Sequence, residues 1–137
     1  PTSILTTIQI LASIFTPAPT TQSPTQHPRK TTTTPSGRLV ERAGYPIRMS
    51  ELLATLDGAA YIARVAVSSA KYVVQAKRAI RKAFEVQMKG LGYSMVEVLS
   101  QCPTDWHMTP ADATKWVEEE MMSYYPLGEF KVPKETM

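Results

Sequence analysis

One cysteine, Cys102, stands alone in 137 residues. A single thiol excludes an intrachain disulfide framework, and it excludes a metal site built only from cysteines of this chain. It also fits a reducing compartment, so a cytoplasmic location is expected. Histidine is nearly as scarce, with His27 and His107 the two present. Long apolar runs are missing too. Residues 4–15, "ILTTIQILASIF", are moderately apolar but too short to span a bilayer, and they contain Thr and Gln. They lack the basic start of a signal peptide, so no membrane segment is expected.

Acidic residues are absent from positions 1–38, a stretch dense in Thr, Pro and Ser. Proline removes backbone donors and fixes φ, so residues 16–37 cannot form a helix or a central strand. Residues 1–38 therefore read as a disordered Thr/Pro-rich segment, and residues 39–137 as one small α/β domain. The net charge of +3 is uneven. Residues 71–89 carry six bases (Lys71, Lys77, Arg78, Arg81, Lys82, Lys89) against Glu85, and the C-terminal stretch is acidic. A basic helix can face nucleic acid. No aromatic stacking pattern accompanies this one, so it reads as a solvated face with no nucleic-acid partner.

Order is expected from Tyr45. Pro46 suits a first helical turn, and Met49, Leu52, Leu53 and Leu56 recur at helical spacing until Asp57-Gly58 stops the pattern. Residues 61–67, "YIARVAV", read as a buried strand, and Arg64 inside it needs a carboxylate or an exposed edge. Ser68-Ser69 can cap a helix over residues 71–89, with Val73, Ala76, Ile80, Phe84 and Met88 inward and Gly90 closing it. A strand over residues 94–99 completes a βαβ unit with parallel strands. Thr109, Pro110 and Asp112 begin a further helix, with Trp116 and Val117 on its apolar face. The "YYPLGEF" tail (residues 124–130) is aromatic without periodicity and should pack on its own domain or a partner. A parallel sheet needs more than two strands, so the pattern reads as the C-terminal part of a larger α/β domain.

Cys102 falls three residues past the second strand, in the zone where parallel sheets bind ligands. Three readings stand. It is a small buried residue ending a strand; it is a nucleophile assisted by His107, with Asp105 the one nearby acid; or it is a metal ligand whose partners lie elsewhere. Cys102 with His107 and His27 has no zinc spacing. Trp106 and Trp116 read as core or subunit contacts, and Glu118-Glu119-Glu120 as a solvated face.

Several separate stretches carry a resemblance in the same order: "KTTTTPSGR", "GYPIRMSELLATLDGAAYIARVAV", "VEVLSQCPTDW", "TPADATKWVEEEM" and "YYPLGEFK". Over residues 30–131 the chain resembles the thiamine-diphosphate-binding β subunit of 2-oxoacid:ferredoxin oxidoreductases, of the 2-oxoglutarate and branched-chain 2-oxoacid types. The resemblance implies the C-terminal portion of a thiamine-diphosphate-binding fold. It implies a parent enzyme that decarboxylates a 2-oxoacid, passes the acyl group to coenzyme A and sends electrons through iron–sulfur clusters to ferredoxin. An α subunit is the implied partner, and thiamine diphosphate, Mg²⁺ and a 4Fe–4S cluster are the implied cofactors. Cys102, in "LSQCPT", is similar to the fourth ligand of that cluster, with three further cysteines expected outside this chain.

The departures are as specific. The family's Gly-Asp-Gly-Asp segment and the Asn that hold Mg²⁺ and diphosphate have no counterpart here. Ser23-Pro24-Thr25 matches a family Ser-Pro-Thr, but Pro17 and Pro19 stand where glycines let backbone approach the cofactor. Residues 1–28 are thus expected to be foreign to the family, the product of a truncated or frameshifted reading frame. The chain alone is expected to bind no cofactor and to be inactive. The alternative is a non-catalytic binding or scaffold module that uses the basic helix and the aromatic tail.

Overall fold

The computed structural model describes the backbone of residues 8–13, Pro35, and residues 45–133. The expectations placed on His27 and Ser23-Pro24-Thr25 lie outside the described residues. The elements are β1 (Ile8–Ser13), α1 (Met49–Ala54), β2 (Ala59–Ala66), α2 (Ala70–Met88), β3 (Tyr93–Leu99), α3 (Pro103–Trp106), α4 (Pro110–Trp116), a π-helical turn (Val117–Met121), α5 (Met122–Tyr124) and β4 (Gly128–Lys131).

These form a four-stranded sheet in the order β1-β3-β2-β4. The βαβ unit is present, with β2 and β3 parallel and Ala66 opposite Leu99 at their ends. Two strands were not anticipated. β1 lies in the segment expected to be disordered, yet it pairs in parallel with β3 from Ile8↔Ser94 to Ser13↔Leu99. Backbone pairing to a central strand decides this, not local composition. β4, from the aromatic tail, runs antiparallel to β2, so the sheet is mixed rather than all-parallel.

β2 is buried along its whole length, as a strand covered on both faces must be. One face packs on α2: Ala60, Tyr61, Ala63, Val65 and Val96 meet Ala76, Ala79, Ala83 and Val86. The helix face is rotated from the expected one. Phe84 is 51% exposed and Met88 87% exposed, while the alanines point inward. Small residues let the helix axis approach the sheet closely, and they lie opposite the spread of bases. The charges, not the largest apolar side chains, marked the outward face.

The other face carries α1, with Leu53 and Ala54 against Ala59, Ile62 and Met95. α1 begins at Met49, after Pro46 rather than on it. Leu52 and Leu56 of the expected apolar stripe are each 53% exposed, and Ser50 is buried in their stead. A polar contact described below accounts for that inversion.

The ends of the elements follow local chemistry. α2 ends in a Schellman pattern: Gly90 sits at φ +66°, its N–H donates to Gln87 O, and Leu91 N–H donates to Val86 O. Ser69 precedes α2 in extended backbone but makes no side-chain cap; Ser68 donates instead to Glu118 at 2.8 Å. Gly92 has φ +133°, and a Cβ there would meet Gly58 O at 3.0 Å and Ala60 Cβ at 3.3 Å. Gly92→Ala should therefore cost roughly 1–3 kcal/mol, read as a lower urea midpoint at unchanged slope.

Candidate functional site at the carboxyl edge of the sheet

The carboxyl ends of β2 and β3 are tied together by Val67 N–H donating to Leu99 O at 3.2 Å. Beyond Leu99 the chain leaves the sheet, and Cys102 becomes the N-cap of α3. Pro103 takes the first helical position, where a missing N–H costs nothing. The Cys102 carbonyl accepts from Trp106 N–H at 3.0 Å, and the Pro103 carbonyl from Met108 N–H at 3.0 Å. His107 stops the turn in the left-handed region at φ 53°. Proline after cysteine thus folds the loop into one tight turn that fixes the thiol at the sheet edge.

Trp106 anchors that turn. It is 2% exposed and packs in a cluster with Ala66, Leu99, Ala113, Val117, Met121 and Tyr125. Its ring meets Trp116 edge-on at 5.1 Å. Cys102 lies partly buried against the same cluster, as a free thiol. α4, which carries this cluster over the strand ends, starts with the expected cap: Asp112 N–H donates to Thr109 Oγ1 at 3.2 Å, and Thr109 Oγ1 donates to the Asp112 carboxylate at 2.6 Å. Thr109→Ala should lower stability by about 1 kcal/mol, checked by denaturant midpoint.

The geometry bears on two of the three readings of Cys102. His107 is exposed at the far end of the turn, and the described residues place no hydrogen bond between it and the thiol. A cysteine–histidine nucleophile gains no support from this geometry. Among the described residues no group of three or more His, Cys, Asp or Glu is placed to hold a metal ion. A 4Fe–4S cluster takes four thiolates, so these residues do not form that site by themselves; Cys102 can supply one ligand. Two buried polar atoms of this stretch, Gln101 Oε1 and Trp106 Nε1, have no hydrogen-bond partner. Leaving such atoms unpaired costs about 1–3 kcal/mol each.

Behind the edge lies a charged network that sequence reading anticipated only as a need of Arg64. Arg64 and Glu97 are register partners on β2 and β3, 0% and 1% exposed. Arg64 Nε donates to Glu97 Oε2 at 2.8 Å, and its two terminal nitrogens donate to both oxygens of Glu51 on α1. Ser50 Oγ donates to the same Glu97 oxygen, which explains its burial. The guanidinium also lies 5.1 Å from the rings of Tyr125 and Phe130. Partial burial alone would raise the Glu51 carboxyl, but hydrogen bonds and charge from Arg64 outweigh it and hold the group below its ordinary 4.5. The missed signal was a single acid in one apolar run and a single base in the neighbouring one.

No helix among the described residues is long and apolar enough to cross a membrane. No protein-family model matches the chain, and no solved structure matches it. Curated relatives do. The chain is 42% identical over 101 residues, 74% of its length, to the ketoisovalerate oxidoreductase subunit VorA of Methanothermobacter thermautotrophicus, and equally so to that of Methanothermobacter marburgensis. It is 38% identical over 90 residues to the 2-oxoglutarate synthase subunit KorB of Archaeoglobus fulgidus, covering 66% of the chain. The chain spans 21% of the VorA subunits and 29% of KorB. At 38–42% identity over most of the chain, these three matches support kinship with subunits of 2-oxoacid:ferredoxin oxidoreductases.

Proposed function

We propose that the chain corresponds to the C-terminal part of the thiamine-diphosphate-binding β subunit of a 2-oxoacid:ferredoxin oxidoreductase. The observation that carries this reading is the match of 74% of the chain to a ketoisovalerate oxidoreductase subunit. In the intact enzyme a 2-oxoacid is decarboxylated, its acyl group is passed to coenzyme A, and electrons leave to ferredoxin. Thiamine diphosphate would supply the carbanion chemistry there. This chain's part is structural and electronic: the βαβ core sets the sheet edge, and Cys102 provides one thiolate ligand to a 4Fe–4S cluster. The other ligands, the Mg²⁺ site and an α subunit come from outside it.

Support for the ligand role is positional. The thiol sits at the carboxyl end of a parallel strand, on a turn fixed by Pro103 and Trp106, beside two unpaired buried polar atoms. The reading makes two demands that can be measured. Thiamine diphosphate with Mg²⁺ titrated into the purified chain should give no saturable binding; micromolar affinity would contradict the assignment. Co-expression with the α subunit and with a polypeptide matching the rest of the relatives should yield a co-purifying assembly. That assembly should reduce a viologen dye only with a branched-chain 2-oxoacid or 2-oxoglutarate plus coenzyme A. Failure to co-purify would count against it.

A further inference from the structure

α2 covers only part of the sheet face on which it packs. β4 extends the sheet beyond β2. What remains is a groove of about 610 Å³, floored by Ala63 and Val65 and closed on its far side by Leu127 and Glu129. Its near wall is one flank of α2, where Tyr72, Gln75, Arg78 and Lys82 recur three or four residues apart. Small-molecule sites fall in this size range, mostly apolar with a few polar groups.

Charge in the groove is unbalanced. Lys82 is paired with Glu129 at 3.0 Å, and Tyr61 donates to the same carboxylate at 2.6 Å. Partial burial would raise the Glu129 carboxyl, but these two donors more than offset it and hold it below its ordinary 4.5. Arg64 is committed to Glu51 and Glu97. Arg78 lines the groove from an exposed position on α2 and has no carboxylate, carbonyl or ring partner among the described residues. One uncompensated planar cation thus stands beside aromatic and aliphatic walls. A guanidinium fork matches a carboxylate or phosphate in two parallel hydrogen bonds.

We propose that this groove is a binding site for a small organic anion, its carboxylate or phosphate held by Arg78 and its apolar body lying on Tyr72 and Leu127. The site is separate from the Cys102 turn and does not rest on the proposed enzyme.

Isothermal titration of the full chain with phenyl phosphate and with 4-phenylbutyrate tests it, with inorganic phosphate as the anion without a body. Saturable binding of either organic anion is expected, and the tighter one identifies which acid group the site takes. Arg78→Ala should weaken it about tenfold, the worth of one charge-assisted contact. Arg81→Ala, exposed on the same helix outside the groove, should leave it unchanged. Arg78→Gln repeats the test should the alanine variant not fold by circular dichroism. Three results would overturn the site: no saturable binding of either organic anion, equal loss in Arg81→Ala, or inorganic phosphate binding as tightly as phenyl phosphate.

Discussion

Arg64→Ala should lose about 3–5 kcal/mol of folding free energy, the penalty for breaking a buried ion pair by removing one partner. A domain of this size is stable by only about 5–15 kcal/mol, so the variant should lose a large share of its stability and melt well below wild type. The cause is Glu97. At 1% exposure its carboxylate would keep the Ser50 hydroxyl but lose the guanidinium that neutralises it. Glu51 is partly exposed and can turn to solvent, so its loss counts for less. The double variant Arg64→Leu with Glu97→Leu removes both buried charges, and it should be closer to wild type than the sum of the two single changes. Chemical denaturation of the four proteins measures the coupling; additive single effects would show that the pair is not what holds β2 and β3 in register.

Two carboxylates, one in this network and one in the groove, shape the response to acid. Glu51 and Glu129 both have carboxyls held below their ordinary 4.5 by their cationic and hydroxyl partners, against the opposing effect of partial burial. A depressed carboxylate contributes stability that is fully present above its unfolded value and is lost as pH falls through the folded one. Melting temperature should therefore hold steady down to about pH 5 and fall below it. In Glu51→Gln with Glu129→Gln the melting curve should be flatter over that acid range.

The parts of the fold that were readable in sequence are those set by short-range chemistry. Gly90 closes α2, Thr109 and Asp112 open α4, and β2 and β3 are apolar runs flanking one amphipathic helix. Long-range requirements were not readable. Ser50 is inward because Glu97, 47 residues away, needs its hydroxyl. β4 is a strand because β2 has a free edge that residues 128–131 can pair with, and β1 because β3 has the other. α2 buries alanines because close approach to the sheet favours small side chains over Phe84 and Met88. At the candidate site, the position of Cys102 past a parallel strand was legible from spacing. The unpaired Gln101 and Trp106 atoms beside it needed the fold.

Cys102→Ala separates the readings of that thiol. As a small, partly buried residue among Leu99, Trp106 and Ala66, it should cost about 1 kcal/mol or less if packing is its whole role. As a cluster ligand it should leave circular dichroism and melting of the isolated chain nearly unchanged, yet remove one of four thiolates from the assembled enzyme. The measurement is the low-temperature electron paramagnetic resonance spectrum of the dithionite-reduced assembly, with iron counted per protein, for wild type and Cys102→Ala. The account predicts loss of one reduced-cluster signal and about four iron atoms per assembled site, with the α subunit still bound. An unchanged spectrum and unchanged iron content in a correctly assembled variant would contradict it.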